Sequence, residues 1–255
     1  MEKISKETII SQLQETSNKI ANGFDGRYFE EITFFAGEMA ISYQVLWDII
    51  NSENQDKISD ADFQSALMFW VSLNTVLSSI ELFRRGYPVE SQMLLRNTLE
   101  TFSAAYDIHV HPEKLDNLRR NPKSFDSKQS ISVAKNINSF IGQMYGQLSS
   151  KFTHVSPLHT LPHKSSTPIC IGGLYDPKEN KYQLIPLAGI MLTLDTLNAV
   201  LEFTFFDEIS DKRFWARGKS KEERLYKPKP YILERGTKFR EKMAQFFTKP
   251  DSKNN

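Results

Sequence analysis

The chain has 255 residues and a formal net charge of +1, with 40% hydrophobic and 25% charged residues. This composition excludes a disordered tail protein, a collagen-like repeat and a disulfide-rich miniprotein, and the length suffices for a sizeable core. The single cysteine, Cys170, cannot form an internal disulfide, so we expect a reducing compartment and a cytoplasmic protein. The polar N-terminus carries no signal-peptide pattern.

Apolar residues recur at helical spacing along most of the chain. The predicted helices are Ile4–Ala21, Tyr28–Ile50, Asp60–Arg85, Val89–Ile108, Glu113–Arg120, Lys128–Phe152, Pro186–Ile209 and Gly236–Phe247. Ser59 is a predicted N-cap of the third helix and Gly86 its terminating glycine. The apolar stripe of this helix consists of Phe63, Ala66, Leu67, Trp70, Leu73, Leu77 and Ile80. The fourth helix is apolar on more than one face, which predicts a central position.

The pattern changes after residue 156. Three prolines, at 157, 162 and 168, forbid a continuous helix. Two short strands, Thr167–Gly173 and Lys181–Ile185, are predicted around the turn signal Asp176–Asn180. We therefore predict a β-hairpin insertion at residues 165–186.

The fold class that follows is all-α, a helical bundle with a short β-hairpin insertion and a basic C-terminal arm. We predict a bundle domain over residues 1–211. The arm, residues 212–255, is predicted to carry a terminal helix and a disordered tail from Pro250.

One predicted helical segment, Leu184–Phe206, is long and apolar enough to approach a membrane span. Asp195, Asn198 and Glu202 lie within it, and a charge at the centre of a bilayer is costly. We therefore expect a buried core helix whose polar groups are paired, and no membrane partner.

The small net charge conceals an asymmetry. The segment from Lys212 to Phe247 carries +8, so the rest of the chain carries −7. Basic residues interleaved with aromatic ones suit a nucleic-acid surface, because cations meet phosphates and rings stack on bases. The candidate RNA- or DNA-binding residues are Arg213, Arg217, Lys219 and Lys221. Alternatively, the segment packs its aromatic side chains on the acidic remainder of the chain and leaves its charges solvated, the commoner role of a charge run.

Arg96 is the first candidate for chemistry, because it lies on a helix that is apolar almost all round. Glu100 follows at the i,i+4 spacing that lets the two side chains meet. The pair either orders the core or, with Asn97 beside it, lets Arg96 bind an anionic group in a cleft.

The second candidate stretch runs from Tyr145 to His154. It supplies four binding candidates, Tyr145, Ser149, Ser150 and Lys151. His154 at the helix end is either a cap or a general acid or base. The candidate catalytic set is therefore Arg96, Glu100 and His154.

These two stretches resemble a bacterial family of unknown function. Its members are helical and carry a Leu-x-Arg-x-x-x-Glu helix, here Leu94 to Glu100, and a second helix that ends with a Leu-Ser pair and a histidine, here Leu148 to His154. The general plan is similar to the HEPN helical domains, many of which are ribonucleases of toxin and antiviral systems. That resemblance implies a dimeric, metal-independent RNA-cleaving site that uses Arg96 and His154. The HEPN signature places the arginine four to six residues before the histidine on one helix, whereas these two residues would meet only through folding.

No metal site or cofactor is predicted. Asp107, His109 and His111 alternate along the chain, and three more histidines lie at 154, 159 and 163, but neither set has ligand spacing on a clear helix. No phosphate-binding glycine loop or nucleophile elbow is present in the sequence.

The sequence thus predicts a helical binding or regulatory protein, from a bacterial defence or stress context, that engages nucleic acid or a partner protein. The alternative is the HEPN-like ribonuclease. A third possibility is a structural subunit that buries an exposed apolar helix face against a copy of itself, so we expect a homo-oligomer.

Overall fold

A computed structural model of the chain describes residues 5–51, 58–122, 125–153 and 181–247. Its helices are α1 (Lys6–Ser11), α2 (Ser17–Arg27), α3 (Phe29–Ile50), α4 (Asp60–Arg84), α5 (Pro88–Val110), α6 (Glu113–Arg120), α7 (Ser127–Ala134), α8 (Phe140–Leu148), α9 (Lys181–Thr204) and α10 (Pro230–Phe247). Two π-helical turns, Gln12–Thr16 and Ser149–Thr153, follow α1 and α8. Strands β1 (Trp215–Arg217) and β2 (Arg224–Tyr226) form an antiparallel hairpin. The predicted fold class, an all-α bundle with a short hairpin, is confirmed.

Helices α4 and α5 form the central antiparallel pair. Ser59 caps α4, because its Oγ accepts a hydrogen bond from the backbone N–H of Asp62 at 3.0 Å. Gly86 ends α4 with a φ of 85°, and the N–H groups of Gly86 and Tyr87 donate to the carbonyls of Phe83 and Leu82. This left-handed glycine reverses the chain within three residues. Both predicted ends of the helix are therefore confirmed.

Small residues line the seam between α4 and α5. They repeat every seven residues on each helix: Ser65, Ser72 and Ser79 on α4, and Ser91, Thr98 and Ala105 on α5. The side chains are small enough for the backbones to approach closely. Ser65 donates to the Ala105 carbonyl at 2.9 Å, and Ser79 donates to the Ser91 carbonyl at 2.8 Å. These bonds satisfy buried hydroxyls and fix the register of the two helices.

Helix α9 packs against α3, α4 and α5 and supplies much of the core. Leu187, Leu194 and Leu197 are fully buried there. Its polar residues are paired, as predicted: Asp195 with Arg235, Asn198 with Ser42, and Glu202 with the backbone N–H groups of residues 213–215. Both α4 and α9 are long and apolar enough to cross a membrane, but the apolar window of α9 is 72% buried and that of α4 only 44%. The outer face of α4 is therefore exposed and apolar.

The predicted hairpin position is wrong. Lys181–Ile185, the expected second strand, forms the first turn of α9, while the first strand, Thr167–Gly173, lies outside the described residues. Leu184 is fully buried, and the Gln183 side chain accepts hydrogen bonds from Arg27 and Tyr28. These tertiary contacts stabilise a helix that begins at Lys181, five residues before the predicted start at Pro186. The hairpin lies instead at residues 215–226, within the basic segment.

The remaining differences concern helix boundaries. The predicted helix Lys128–Phe152 is interrupted between α7 and α8, where the Asn138 side chain accepts from the Phe140 N–H at 3.0 Å. Asparagine competes with the helix for backbone hydrogen bonds in this way. Helix α2 continues to Arg27, beyond the predicted end at residue 21, and α10 begins at Pro230 rather than Gly236. The predicted domain boundary at residue 211 stays a prediction, and the predicted disordered tail lies outside the described residues.

Candidate functional site

Arg96, Glu100 and Tyr145 form a half-buried cluster between α5 and α8. Arg96 Nη2 lies 3.1 Å from Glu100 Oε1 and donates to Tyr145 Oη at 3.4 Å. Tyr145 Oη donates to Glu100 Oε1 at 3.1 Å, and the guanidinium lies 5.4 Å from the centroid of the tyrosine ring. The side chain of Arg96 is 26% exposed, so the predicted pair exists but is not completely buried.

The electrostatics of this cluster keep Arg96 charged. The hydrogen bond to Tyr145 raises the pKa of Arg96 above its ordinary value, against the opposing effect of burial, and the Glu100 carboxylate raises it further. The cluster is therefore an ion pair bridged by a phenol. Two hydrogen bonds, from Arg96 to Tyr145 and from Tyr145 to Glu100, thus join α8 to α5.

Two buried donors of this region have no hydrogen-bond partner among the described residues: Arg96 Nε and Ser149 Oγ. Ser149 begins the π-helical turn after α8, one helical turn beyond Tyr145, and π turns are frequent at functional sites. Asn97 is exposed beside Arg96, where its side chain and its carbonyl both accept from the Thr101 hydroxyl. Of the predicted residues, Arg96 and Glu100 of α5 and Tyr145 of α8 thus come together.

Two further binding candidates, Ser150 and Lys151, lie on the π-helical turn after α8. Ser150 donates to the Gln147 carbonyl at 3.3 Å, and both Ser150 and Lys151 are exposed on the π-helical turn. His154, the predicted catalytic histidine, lies outside the described residues, as do His159 and His163. The catalytic set of Arg96, Glu100 and His154 stays a prediction.

Arg213 is a correction to the predicted nucleic-acid surface. It is only 5% exposed, and its Nη1 donates to Glu38 Oε2 at 2.6 Å inside the bundle. Its Nη2 donates to Ser42, which in turn donates to Asn198. Because both charges of the pair are buried and satisfied, Arg213 holds the basic segment to α3 and cannot reach a nucleic acid at the surface.

Four other basic residues of the segment also pair with carboxylates that precede it in the chain: Arg217 with Asp207, Lys229 with Asp211, Arg235 with Asp195, and Lys242 with Glu31. The segment therefore packs on the acidic remainder of the chain. Lys219 and Lys221 are exposed in the turn of the β-hairpin, beside Arg217. The candidate nucleic-acid-binding residues that face solvent, Arg217, Lys219 and Lys221, thus lie on one hairpin.

The alternating residues at the end of α5 form two separate pairs. His109 Nδ1 lies 2.6 Å from Asp62 Oδ1, and His111 Nδ1 lies 2.8 Å from Asp107 Oδ1. Asp107 is buried and also accepts from Lys114 and Ser130. No group of three metal-binding side chains is found in the described part of the chain. These histidines therefore anchor helix ends.

One surface was not found from the sequence: the outward side of α3 and α4, here called the α3–α4 face, formed by Tyr43, Trp47, Trp70, Val71, Asn74 and Leu77. The Tyr43 and Trp70 ring centroids lie 4.9 Å apart, and those of Trp47 and Trp70 lie 6.5 Å apart. Trp47 is 56% exposed, Val71 52% and Leu77 48%. The eighteen residues from Phe63 to Ile80 include no charged side chain. Two residues assigned to the core stripe, Phe63 and Leu77, are therefore exposed.

A signal for this face exists in the sequence. An amphipathic surface helix normally carries charged residues opposite its apolar stripe, and α4 carries none over five turns. Such a helix is buried on all sides or has a partner on its outer side. Here the outer side of α4, with Val71 and Leu77, is exposed and is not covered by the described part of the chain.

Comparisons with known proteins give no further information about the site. No protein-family model, no curated protein and no solved structure matches this chain.

Proposed function

We propose that this chain is a helical binding protein that engages a protein partner through the α3–α4 face. The exposed, uncharged cluster of Trp47, Trp70, Val71 and Leu77 carries this proposal. Large contiguous apolar patches are rare on monomeric proteins and mark interaction sites. Tryptophan and tyrosine are also the side chains most enriched at the centres of protein interfaces.

The rest of the structure favours this surface over the basic segment. The five ion pairs with preceding carboxylates neutralise much of the charge of that segment. The α3–α4 face, by contrast, has an intramolecular polar contact, from Tyr43 Oη to Asn74 at 2.7 Å, that leaves its apolar side chains exposed. Association would remove those side chains from water at about 25 cal/mol per Å².

Site-specific photo-crosslinking in the source cells tests the proposal. A photoreactive residue replaces Leu77 on the face or, as a control, Leu233, which is 56% exposed on α10. We expect a discrete crosslinked protein band from position 77 that Val71→Arg abolishes, and none from position 233. Equal crosslinking from both positions, or none from 77, would contradict the proposal. The mass of the band distinguishes a second copy from another protein.

Nucleic-acid binding is the second candidate function, favoured by the position of Arg217, Lys219 and Lys221 on one hairpin. Tyr226, on the partner strand, is exposed and available for stacking on a base. Fluorescence anisotropy with labelled single-stranded RNA and DNA of about 20 nucleotides tests this candidate. We expect binding at low salt that weakens as salt rises, and that Lys219→Glu with Lys221→Glu abolishes.

Lys238→Glu is the control, because Lys238 is exposed on α10 and pairs only locally, with Glu234. An equal loss with the control would show a nonspecific charge effect. The same RNA samples are run on denaturing gels. RNA cleavage that Arg96→Ala and His154→Ala both abolish would support the ribonuclease alternative, and intact RNA at high protein concentration would reject it.

A further inference from the structure

We infer that the partner on the α3–α4 face is a second copy of this chain, paired about a two-fold axis with the two α4 helices antiparallel. This inference rests on the proposed function and names its partner. It follows from the charge distribution on α4, from the position of the aromatic cluster and from the size of the face.

The absence of charge makes the face compatible with itself. In a two-fold interface the same patch meets its copy, so any charged residue near the axis faces a like charge. Helix α4 has no charged residue between Asp62 and Glu81. Its outward polar side chains there, Asn74 and Ser78, are neutral and small. The α4 part of the face therefore meets its copy without electrostatic repulsion. On α3, Asp48 is exposed next to Trp47, and its carboxylate accepts a hydrogen bond from Gln44 Nε2 at 2.7 Å.

The ends of α4 select the antiparallel orientation. Asp60 and Asp62 lie in its first turn, and Arg84 and Arg85 lie at its C-terminal end. All four charges already have a partner within the chain: Asp60 with Arg119, Asp62 with His109, Arg84 with Asp25, and Arg85 with Glu81. The gain in affinity is therefore small. In the antiparallel arrangement the acidic start of one helix lies beside the basic end of the other, and the helix dipoles are opposed. A parallel arrangement would place like charges together.

The aromatic cluster lies where the axis would pass. Residues 71 and 72 are midway between Asp62 and Glu81, and Trp70 contacts Trp47 of α3 at that level. The antiparallel pairing therefore brings Trp47 and Val71 of one copy onto the same residues of the other. Exposed aromatic residues thus occupy the centre of the interface, where binding energy is concentrated.

The size of the face suits a dimer. From Phe63 to Ser78 the helix extends about 24 Å at about 1.5 Å per residue. Two helices packed about 9 Å apart, each about 10 Å across, present a width of about 20 Å. The resulting footprint, about 500 Å² in projection, is of the same order as the roughly 800 Å² of accessible surface that each partner buries in a standard interface.

Sedimentation equilibrium of the full chain tests the inference. We expect the wild type to reach twice the monomer mass of 29.4 kDa in the micromolar range. Val71→Arg is expected to weaken dimerisation at least a hundredfold, because it places two cations at the axis. Leu233→Arg is the matched control, an equally exposed apolar residue on α10, and is expected to leave the dimer unchanged. Circular dichroism confirms that both variants are folded.

A cysteine at position 71 tests the geometry. Under mild oxidation Val71→Cys is expected to give a disulfide-linked dimer, whereas Leu233→Cys and the wild type, with Cys170 alone, are not. A wild type that stays monomeric up to about 100 μM, or a dimer unaffected by Val71→Arg, would overturn the inference. A monomeric wild type that still crosslinks to another protein from position 77 would show that the partner is not a second copy of this chain. The proposed function, binding of a protein partner through the α3–α4 face, would then still stand.

Discussion

The Glu38–Arg213 pair shows how a single buried contact determines the arrangement of a whole segment. Both side chains are almost completely buried and lie 2.6 Å apart. Two charges removed from water stabilise a fold little in net terms, but the loss of one partner leaves the other uncompensated. Arg213 therefore serves to fix the basic segment in one position on the bundle.

We expect Arg213→Ala to lower the free energy of unfolding by about 3–5 kcal/mol, because the Glu38 carboxylate would stay buried without its counterion. Urea denaturation followed by circular dichroism measures the change. Lys219→Ala, an exposed control on the hairpin, should change the same quantity by less than about 0.5 kcal/mol. A loss below about 1 kcal/mol for Arg213→Ala would mean that water reaches the site.

Asp107 is a buried carboxyl near the C-terminal end of α5. Burial alone would raise the pKa of this carboxyl, but hydrogen bonds from Lys114, Ser130 and His111 together hold it below its ordinary value. A lowered pKa in the folded state stabilises the protein above the unfolded value of about 3.9, and that stability is lost as the pH falls through the folded pKa. We expect Asp107→Asn to reduce stability at pH 7 and to flatten the acid limb of the profile of stability against pH. Urea unfolding midpoints of both proteins between pH 2 and pH 7 measure this effect. An equally steep loss of stability at acid pH in Asp107→Asn and the wild type would contradict it.

Side-chain pairs could be predicted from the sequence where the two residues are close in the chain. Arg96 and Glu100 were paired from their spacing, and the structure adds Tyr145, 45 residues away from Glu100, as the bridge. Arg213 was expected at the surface because nothing in its own neighbourhood indicates Glu38. A buried ion pair between distant residues leaves no local pattern.

At the scale of elements, helix boundaries were predicted best where a capping residue or a turn residue marks the end of the helix. The bounds of α4 and α6 were predicted within one residue, since Ser59, Gly86 and Pro112 define where the chain can start or stop a helix. The hairpin was misplaced because the short strands Trp215–Arg217 and Arg224–Tyr226 have only three residues each. Burial of Trp215 against α9, which neither strand's pattern reveals, decides their position.

Gly86 lies in the turn between α4 and α5. Its φ of 85° belongs to the left-handed region, which costs a residue with a Cβ about 1–2 kcal/mol. We therefore expect Gly86→Ala to destabilise the protein by about that amount in urea denaturation. Gly236→Ala is the matched control. Gly236 lies within α10 with open space around the added carbon, so the change should stabilise by about 0.5–1 kcal/mol. The same sign for both substitutions would contradict this account of the turn.

At the scale of the whole molecule, the charge asymmetry is an internal match between the two parts of the chain. The basic segment and the acidic bundle neutralise one another through ion pairs, so a net charge of +1 reflects folding more than binding. The total could be computed from the sequence. Which carboxylate meets which cation could not, because those pairs depend on the packing of α3, α9 and α10.

Salt should loosen the docking of α10 specifically. The helix is held by Arg235 on Asp195 and Lys242 on Glu31, both partly exposed pairs, with Ile232 as its buried apolar anchor. Screening of two such pairs, each worth up to about 1 kcal/mol, should speed amide exchange in α10 roughly fivefold between 0.05 and 0.5 M salt. Hydrogen–deuterium exchange measures it, and α9 is the internal reference that should not change. Exchange in α10 that is independent of salt would mean that apolar contacts hold the helix.

The Glu38–Arg213 contact also has a consequence for synthesis on the ribosome. The two residues are separated by 175 positions. At about 5–20 residues per second, Glu38 is added to the growing chain about 9–35 s before Arg213. Until Arg213 follows, we expect the side of α3 that carries Glu38 to stay in contact with water. We therefore expect the bundle to close last where the newest part of the chain arrives, and a chain whose translation stops short of Arg213 to be cleaved more readily by cellular proteases.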